Sequence, residues 1–295
     1  MSVFKGAGTA LVTPFHEDGT VNYKKLEELL DFQISNKADA IIICATTGEA
    51  PTLELDEHYE VIRQTVKYVN HRIPVIAGSG SNNTFTAINT SKQAALAGAD
   101  GLLCVTPYYN KCTQKGLIAD FTAIAKATDL PVIMYNVPGR TAVNILPQTA
   151  AELFYTVDNI IGIKEASGNI SQVAKIAELT KCEMDIYSGN DDQIVPLLAL
   201  GGIGVISVLS NIVPEETHNI VDLFMNGKIQ ESRDLQLKAL PLVEQLFAEV
   251  NPIPVKAALN LMGFDVGPLR LPLTEMEPEH KEDLAKAMRE FGIKF

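Results

Sequence analysis

Cysteine is scarce in this 295-residue chain, and Cys44, Cys104, Cys112 and Cys182 form no CxxC pair. That spacing offers neither a disulfide framework nor a zinc site, and Cys44 and Cys104 fall inside apolar runs, where a thiol acts as a small core residue. The five histidines, His16, His58, His71, His218 and His280, include no HExxH and no pair one helical turn apart, so no metal centre is expected. Long hydrophobic runs are missing too. Nothing approaches the ~18 apolar residues of a membrane span, and the N-terminal segment lacks the regions of a secretory signal. The expected compartment is the reducing cytoplasm, with no membrane partner. Basic residues number 24 against 36 acidic ones, a net charge of −12, and a field of that sign repels phosphate backbones. No nucleic-acid partner is expected. Two nucleotide-binding signatures are also absent: GAGTAL and GSGSNN each carry one GxG without the third glycine, and no Walker-type GxxxxGK[ST] occurs.

What is present is an ordinary globular composition, 46% hydrophobic and 20% charged. Short, near-continuous apolar runs recur near residues 7–13, 40–45, 74–78, 101–106, 131–136, 160–164, 184–189 and 203–208, the pattern of parallel strands covered on both faces. Between them lie segments with helical period: Leu26, Leu29, Leu30 and Ile34; Tyr59, Ile62, Val66 and Val69; Leu117, Phe121 and Ile124. Thr84 and Pro147 mark helix starts. Eight strand-helix units predict an α/β fold, a (β/α)8 TIM barrel, over residues 1–224. An open doubly wound sheet is the alternative, disfavoured by the missing fingerprint. From about Met225 only amphipathic helices follow, so residues 225–295 are read as a C-terminal helical appendage.

Active sites of such barrels form at the carboxyl ends of the strands, which directs attention to the polar residues that end the apolar runs. Lys164 ends the sixth. A lysine at a packed barrel mouth is partly desolvated, which favours the neutral amine that adds to a carbonyl to form a Schiff base. Two other readings remain open: a lysine snorkelling out of the rim, or one paired with Glu165. Tyr135 and Thr46, also at strand ends, carry hydroxyls that both donate and accept, suited to moving protons around a carbinolamine. Arg140, after a Pro-Gly turn, offers a planar fork for a substrate carboxylate or for a surface ion pair. The Tyr108-Tyr109 pair suits a stacking platform or a subunit contact. An imine-forming amine, neutral hydroxyls and an anion clamp together point to carbon-carbon bond chemistry on a keto acid.

Over essentially its whole length the chain resembles the dihydrodipicolinate synthase branch of the pyruvate-dependent class I aldolase family. The resemblance rests on GTALVTPF (8–15), ATTGE (45–49), IAGSGSN (76–82), VTPYYNK (105–111), YNVPGRT (135–141), GIKEASGN (162–169), GVISV (204–208) and NPIPVKAAL (251–259). It implies a lyase in which Lys164 forms a Schiff base with pyruvate, whose enamine attacks L-aspartate 4-semialdehyde to give 4-hydroxy-tetrahydrodipicolinate, on the way to diaminopimelate and lysine. Tyr135 and Thr46 would form a proton relay completed by Tyr109 of the partner subunit. Thr47 would hold the pyruvate carboxylate and Arg140 that of the semialdehyde, while backbone groups of Gly189 and Ile206 line the lysine pocket. No cofactor beyond the covalent imine is implied. A shared relay implies an obligate dimer, and the family commonly pairs such dimers into tetramers.

Residues that match the family's lysine-feedback site are Ala50, His58, Asn82 and Tyr108, but Leu55, Pro51 and Thr86 depart from it. Thr86 stands where a glutamate would hold the lysine ammonium, which leads to an expectation of weak or absent inhibition. Competing functional readings are another pyruvate aldolase (an N-acetylneuraminate lyase or a keto-deoxy sugar acid aldolase), a non-catalytic metabolite sensor, and a phosphate-binding barrel isomerase. Arg140 and the Thr46-Thr47 pair favour the synthase over the first, and the acidic NDD after the seventh run disfavours the last.

Overall fold

The computed structural model describes residues 2–295. Eight parallel strands pair in chain order and the last closes on the first. They are β1 (Gly6–Ala10), β2 (Ala40–Ile43), β3 (Val75–Gly78), β4 (Gly101–Val105), β5 (Val132–Asn136), β6 (Ile160–Glu165), β7 (Asp185–Ser188) and β8 (Gly204–Ser207). Each lies on one of the apolar runs, and nearly every strand residue is buried, as strands covered on both faces require. Several runs extend beyond their strands at the mouth. The ladder leaves β2 at Ile43 because Cys44 takes a left-handed φ of 54°, and the β1–β2 register stops at Ala10. By contrast β6 continues one residue past Lys164, because Glu165 still pairs with Asn136 on β5 and Ser188 on β7.

The helices between strands are α1 (Tyr23–Ser35), α2 (Leu55–Val69), α3 (Thr84–Ala97), α4 (Gln114–Ala125), the single turn α5 (Pro138–Thr141), α6 (Pro147–Thr156), α7 (Ile170–Leu179) and α8 (Ile194–Ala199). The helical-period residues turn inward: Leu26, Leu29 and Leu30 of α1 and Leu117, Phe121 and Ile124 of α4 are buried. Pro147 opens α6 as expected. Thr84 opens α3, but the cap is Asn83, whose side-chain oxygen accepts from the Phe85 N–H at the unsatisfied amino end. Two apolar layers result. Side chains such as Ile42, Ile76, Ile133, Tyr187 and Ile206 fill the barrel, while Ile41, Ile43, Leu102 and Ile163 pack outward against the helices. Tyr187 stacks on Phe4 with ring centroids 4.5 Å apart and donates its hydroxyl to the Phe4 carbonyl at 2.7 Å, plugging the interior.

The strand-helix alternation ends with α9 (Pro214–Met225). No strand follows it, only α10 (Ile229–Leu246), α11 (Ile253–Leu261) and α12 (Pro278–Phe291). Helix α10 packs on α9 and α12, and apolar side chains of the appendage such as Leu242, Leu259 and Met288 join the same cluster as the outer barrel layer. A polar bond also crosses to the barrel mouth. Lys256 of α11 is buried and donates to Glu49 Oε1 at 2.9 Å, to the Thr13 carbonyl at 3.2 Å and to the Pro268 carbonyl at 2.6 Å. The Arg270 N–H takes the other Glu49 oxygen at 3.0 Å, and the Phe15 ring lies 4.5 Å from the Lys256 ammonium. Burial holds that ammonium below the usual lysine range, and Glu49 opposes the shift. The pair pins Glu49 in a left-handed conformation at the end of the Thr46-Thr47 turn. Removing one partner leaves a charge buried without its counterion, so Lys256→Ala is expected to lower stability by about 3–5 kcal/mol. Denaturant unfolding of the variant against the parent chain measures this.

Candidate active site

In a strand, consecutive side chains point to opposite faces, and the β5–β6 pairing uses that rule twice. Tyr135 and Lys164 are register partners and both are buried; Lys164 is 5% exposed, with Nζ 4.2 Å from the centre of the Tyr135 ring. The next pair, Asn136 and Glu165, faces the opposite way. Glu165 accepts from Asn136 Nδ2 at 3.0 and 3.2 Å, from Gln172 Nε2 at 3.0 Å and from the Ser167 N–H at 2.7 Å. The carboxylate beside Lys164 is therefore saturated by neutral donors. Among the described residues no carboxylate forms an ion pair with Lys164, and its burial rules out a side chain snorkelling into solvent.

The remaining walls come from β7 and β8. Tyr187 is the other register partner of Lys164, and Ile206 is buried among the interior residues. Gly189 follows β7, and a Cβ placed there would come 3.1 Å from Lys164 Cε and 2.5 Å from the Ala166 methyl. Glycine is needed chiefly to clear Ala166, and it leaves the lysine stem uncrowded. Two residues on, Asp191 is buried and accepts from the Val208 and Leu209 N–H groups at 3.0 Å each, which ties the β7 loop to the end of β8. Burial pushes this carboxyl above the usual range, while the Ser207 hydroxyl, those N–H groups and the nearby Lys164 charge pull the other way.

Thr46 and Tyr135 share a wall of a cavity of about 380 Å³ that also meets Arg140 and Tyr108. The cavity extends past Ala50, Pro51, Leu55, His58 and Thr86, and none of its lining residues is a carboxylate. Lys164, Thr47, Gly189 and Ile206 do not line it, and neither does Asn82, whose carbonyl accepts from Asn110 Nδ2 at 2.8 Å. Burial drives His58 down to about 4, opposed by nearby backbone carbonyls, so its ring is neutral at neutral pH; its Nδ1 is buried without a partner. Thr47 is buried behind the turn and accepts from Asn251 Nδ2 at 3.0 Å. Arg140 lies on α5, exposed, in no ion pair among the described residues, and donates through Nη2 to the Asn251 carbonyl at 3.2 Å. Tyr109 is 91% exposed with a φ of 68°, turned out of the cavity that Tyr108 lines.

The structure thus brings Lys164, Tyr135, Gly189 and Ile206 together in the barrel and sets Thr46, Thr47 and Arg140 around its rim, leaving Tyr109 outside. Sequence reasoning missed Tyr187, Asp191 and Asn251. Tyr187 and Asp191 stand in the YSGND strand end, where position is the only signal; Asn251 begins NPIPVKAAL, which carries part of the resemblance and marks a break between helices but points to no role for the asparagine.

A buried amine with no carboxylate to neutralise it, at the carboxyl end of a parallel barrel, marks a class of enzyme equipped for imine chemistry on carbonyl compounds. Within that class the chain belongs to the dihydrodipicolinate synthetase family, whose model matches residues 3–291. A curated relative from Lachnoclostridium phytofermentans, named 4-hydroxy-tetrahydrodipicolinate synthase, is 62% identical over 99% of this chain and 100% of its own length. Among solved structures, dihydrodipicolinate synthase from Thermotoga maritima superposes with a TM-score of 0.97 at 44% identity, covering 99% of this chain and 100% of that one. The Cyanidioschyzon merolae enzyme, solved with lysine bound, gives 0.97 at 43% identity with both chains fully covered. From the Gly189 geometry, Gly189→Ala is expected to push Ala166 aside and crowd the Lys164 stem, slowing imine formation with a small keto acid on the order of a hundredfold. Stopped-flow trapping of the imine checks it, with thermal unfolding as a control for folding.

Proposed function

We infer that the protein is a lyase that catalyses the 4-hydroxy-tetrahydrodipicolinate synthase reaction, joining pyruvate to L-aspartate 4-semialdehyde on the route to diaminopimelate and lysine. The observation that carries this reading is the unpaired, buried Lys164 amine against the Tyr135 ring. The amine adds to C2 of pyruvate, and the carbinolamine loses water to form the imine. Loss of a C3 proton gives the enamine, whose C3 attacks the aldehyde carbon. The amino group of the semialdehyde then displaces Lys164 from C2, closing the ring and restoring the free amine. All the carbon comes from the two substrates and one water leaves, so the covalent imine serves where another enzyme would use a cofactor.

In this scheme Tyr135 and Thr46 pass protons to and from the carbinolamine, Thr47 donates to the pyruvate carboxylate, and Arg140 holds the carboxylate of the semialdehyde. Backbone groups of Gly189 and Ile206 flank the imine. One chain leaves the relay short of a hydroxyl, which Tyr109 of the partner subunit supplies. Supporting a dimer across that face, Tyr109 and Phe85 in the first turn of α3 are both strongly exposed, and the Asn110 to Asn82 hydrogen bond ties the Tyr109 loop to the segment that leads into α3. A pair of such dimers is the expected assembly. Four free thiols, two of them buried, suit the cytoplasm. The test is borohydride reduction in the presence of pyruvate, followed by peptide mass spectrometry. The adduct is expected on Lys164 and absent from Lys164→Ala; label on another lysine, or none, overturns the reading.

Ala50, His58 and Tyr108 line a cavity that approaches the site but offers no carboxylate to an ammonium group, and Asn82 stays off its wall. A neutral His58 and the apolar Leu55 and Pro51 add no attraction for a cation. An ammonium deprived of its charge-assisted partner loses about 1.5–3 kcal/mol. Roughly 1 mM L-lysine is therefore expected to leave more than half of the activity, as a coupled assay titrated with lysine would show.

A further inference from the structure

Asn251 comes from the appendage, between α10 and α11, yet it contacts both loops that receive carboxylates in the scheme above. It is 5% exposed. Its Nδ2 donates to Thr47 Oγ1 at 3.0 Å, and its main-chain carbonyl accepts from Arg140 Nη2 at 3.2 Å. A hydroxyl whose oxygen already accepts still has its own proton to give. Thr47 Oγ1 donates to no acceptor among the described residues, whereas the neighbouring Thr13 hydroxyl is committed to the Gly48 carbonyl at 2.6 Å. The Thr47 proton is thus directed by the amide behind it. Five residues along, Lys256 anchors the same turn through Glu49, so the helical segment grips the turn at two points.

We propose that Asn251 is a positioning residue for both substrate carboxylates: its amide turns the Thr47 hydroxyl proton toward bound pyruvate, and its carbonyl steers the Arg140 guanidinium over the semialdehyde subsite. This rests on the assignment of Thr47 and Arg140 to those carboxylates. The orientation of the amide is the decisive element. With Nδ2 facing Thr47, the threonine presents a donor to the anion; with Oδ1 facing it, the threonine would present lone pairs, which repel a carboxylate. The Oδ1 atom is buried without a partner, so the donation from Nδ2 to Thr47 is the one hydrogen bond the side-chain amide makes among the described residues.

The experiment follows borohydride trapping as a function of pyruvate concentration, without the semialdehyde, together with steady-state turnover. The chains compared are the parent, Asn251→Ala, Asn251→Asp, Thr47→Val and the double variant Asn251→Ala/Thr47→Val. Asn251→Ala is expected to raise half-saturation by pyruvate about tenfold with a smaller change in maximal trapping rate. Asn251→Asp, which can only accept from Thr47 and adds a negative charge, is expected to raise it further. In the Thr47→Val background the alanine substitution should add nothing, because the interaction it removes is already gone.

Three results would overturn the proposal: unchanged half-saturation in Asn251→Ala, a full additional loss in the double variant, or an Asn251→Asp chain that binds pyruvate no worse than Asn251→Ala. If the alanine variant does not fold, the uncharged, near-isosteric Asn251→Leu change, alone and with Thr47→Val, gives the same non-additivity readout. Failure of the parent chain to trap pyruvate on Lys164 would instead reject the synthase reading. A parent that traps normally, beside variants that bind pyruvate as it does, rejects only the role of Asn251.

Discussion

The phase of side-chain alternation in β5 and β6 governs the chemistry at the barrel mouth. Because Tyr135 and Lys164 are register partners, one phase sends both inward and sends Asn136 and Glu165 to the opposite face. A slip of one residue would exchange them, burying a carboxylate in the barrel and removing the amine from it. The polar network outside guards against that slip. Asn136, Glu165, Gln172 and Ser167 satisfy one another, so Glu165 has no unmet demand that Lys164 would answer. The amine stays free because its carboxylate neighbour in sequence is fully occupied elsewhere.

Electrostatics at the site run against the whole-molecule field. A chain of net charge −12 gives no general attraction to anionic keto acids, so local groups must supply it. Arg140 is outside any ion pair among the described residues, the main cavity has no acidic lining, and Asp191, close enough to feel the lysine charge, is held by two backbone N–H groups. An acidic surface and a carboxylate-poor mouth coexist because salt screens the distant surface charges, whereas Arg140 at the rim acts on an anion at close range.

The helical appendage is part of the site's framework. Its apolar faces join the barrel's outer layer, and its polar residues reach over the mouth at Thr47, Glu49 and Arg140. A buried ion pair such as Lys256–Glu49 is a poor source of net stability compared with an apolar packing of the same volume. Its value here lies in geometry, since it fixes a left-handed residue at the end of the turn that carries two of the proposed substrate and relay hydroxyls.

Much of this protein is legible in local pattern. Eight apolar runs of strand length, helical periodicity between them and the change near Met225 specify a closed parallel barrel with trailing helices, because burial on both faces and a period of 3.6 residues leave marks in a single strand or helix. Strand-end position places Lys164 and Tyr135 among the candidates at the mouth, alongside Thr46 and others, without deciding between an amine free to react and one that is paired or solvated. Three features depend on contacts between distant segments, which no local pattern records. Saturation of Glu165 requires α7 to lie against β6; the space for the Lys164 stem requires Gly189 to approach from β7; and the grip of Asn251 on Thr47 joins residues 204 positions apart. The order of residues along the chain thus dictates which elements form and which side chains end the strands. Which of those side chains stay free to react is settled only in the folded chain, because a hydrogen-bonding group is spent or spared according to the partners that folding brings within reach.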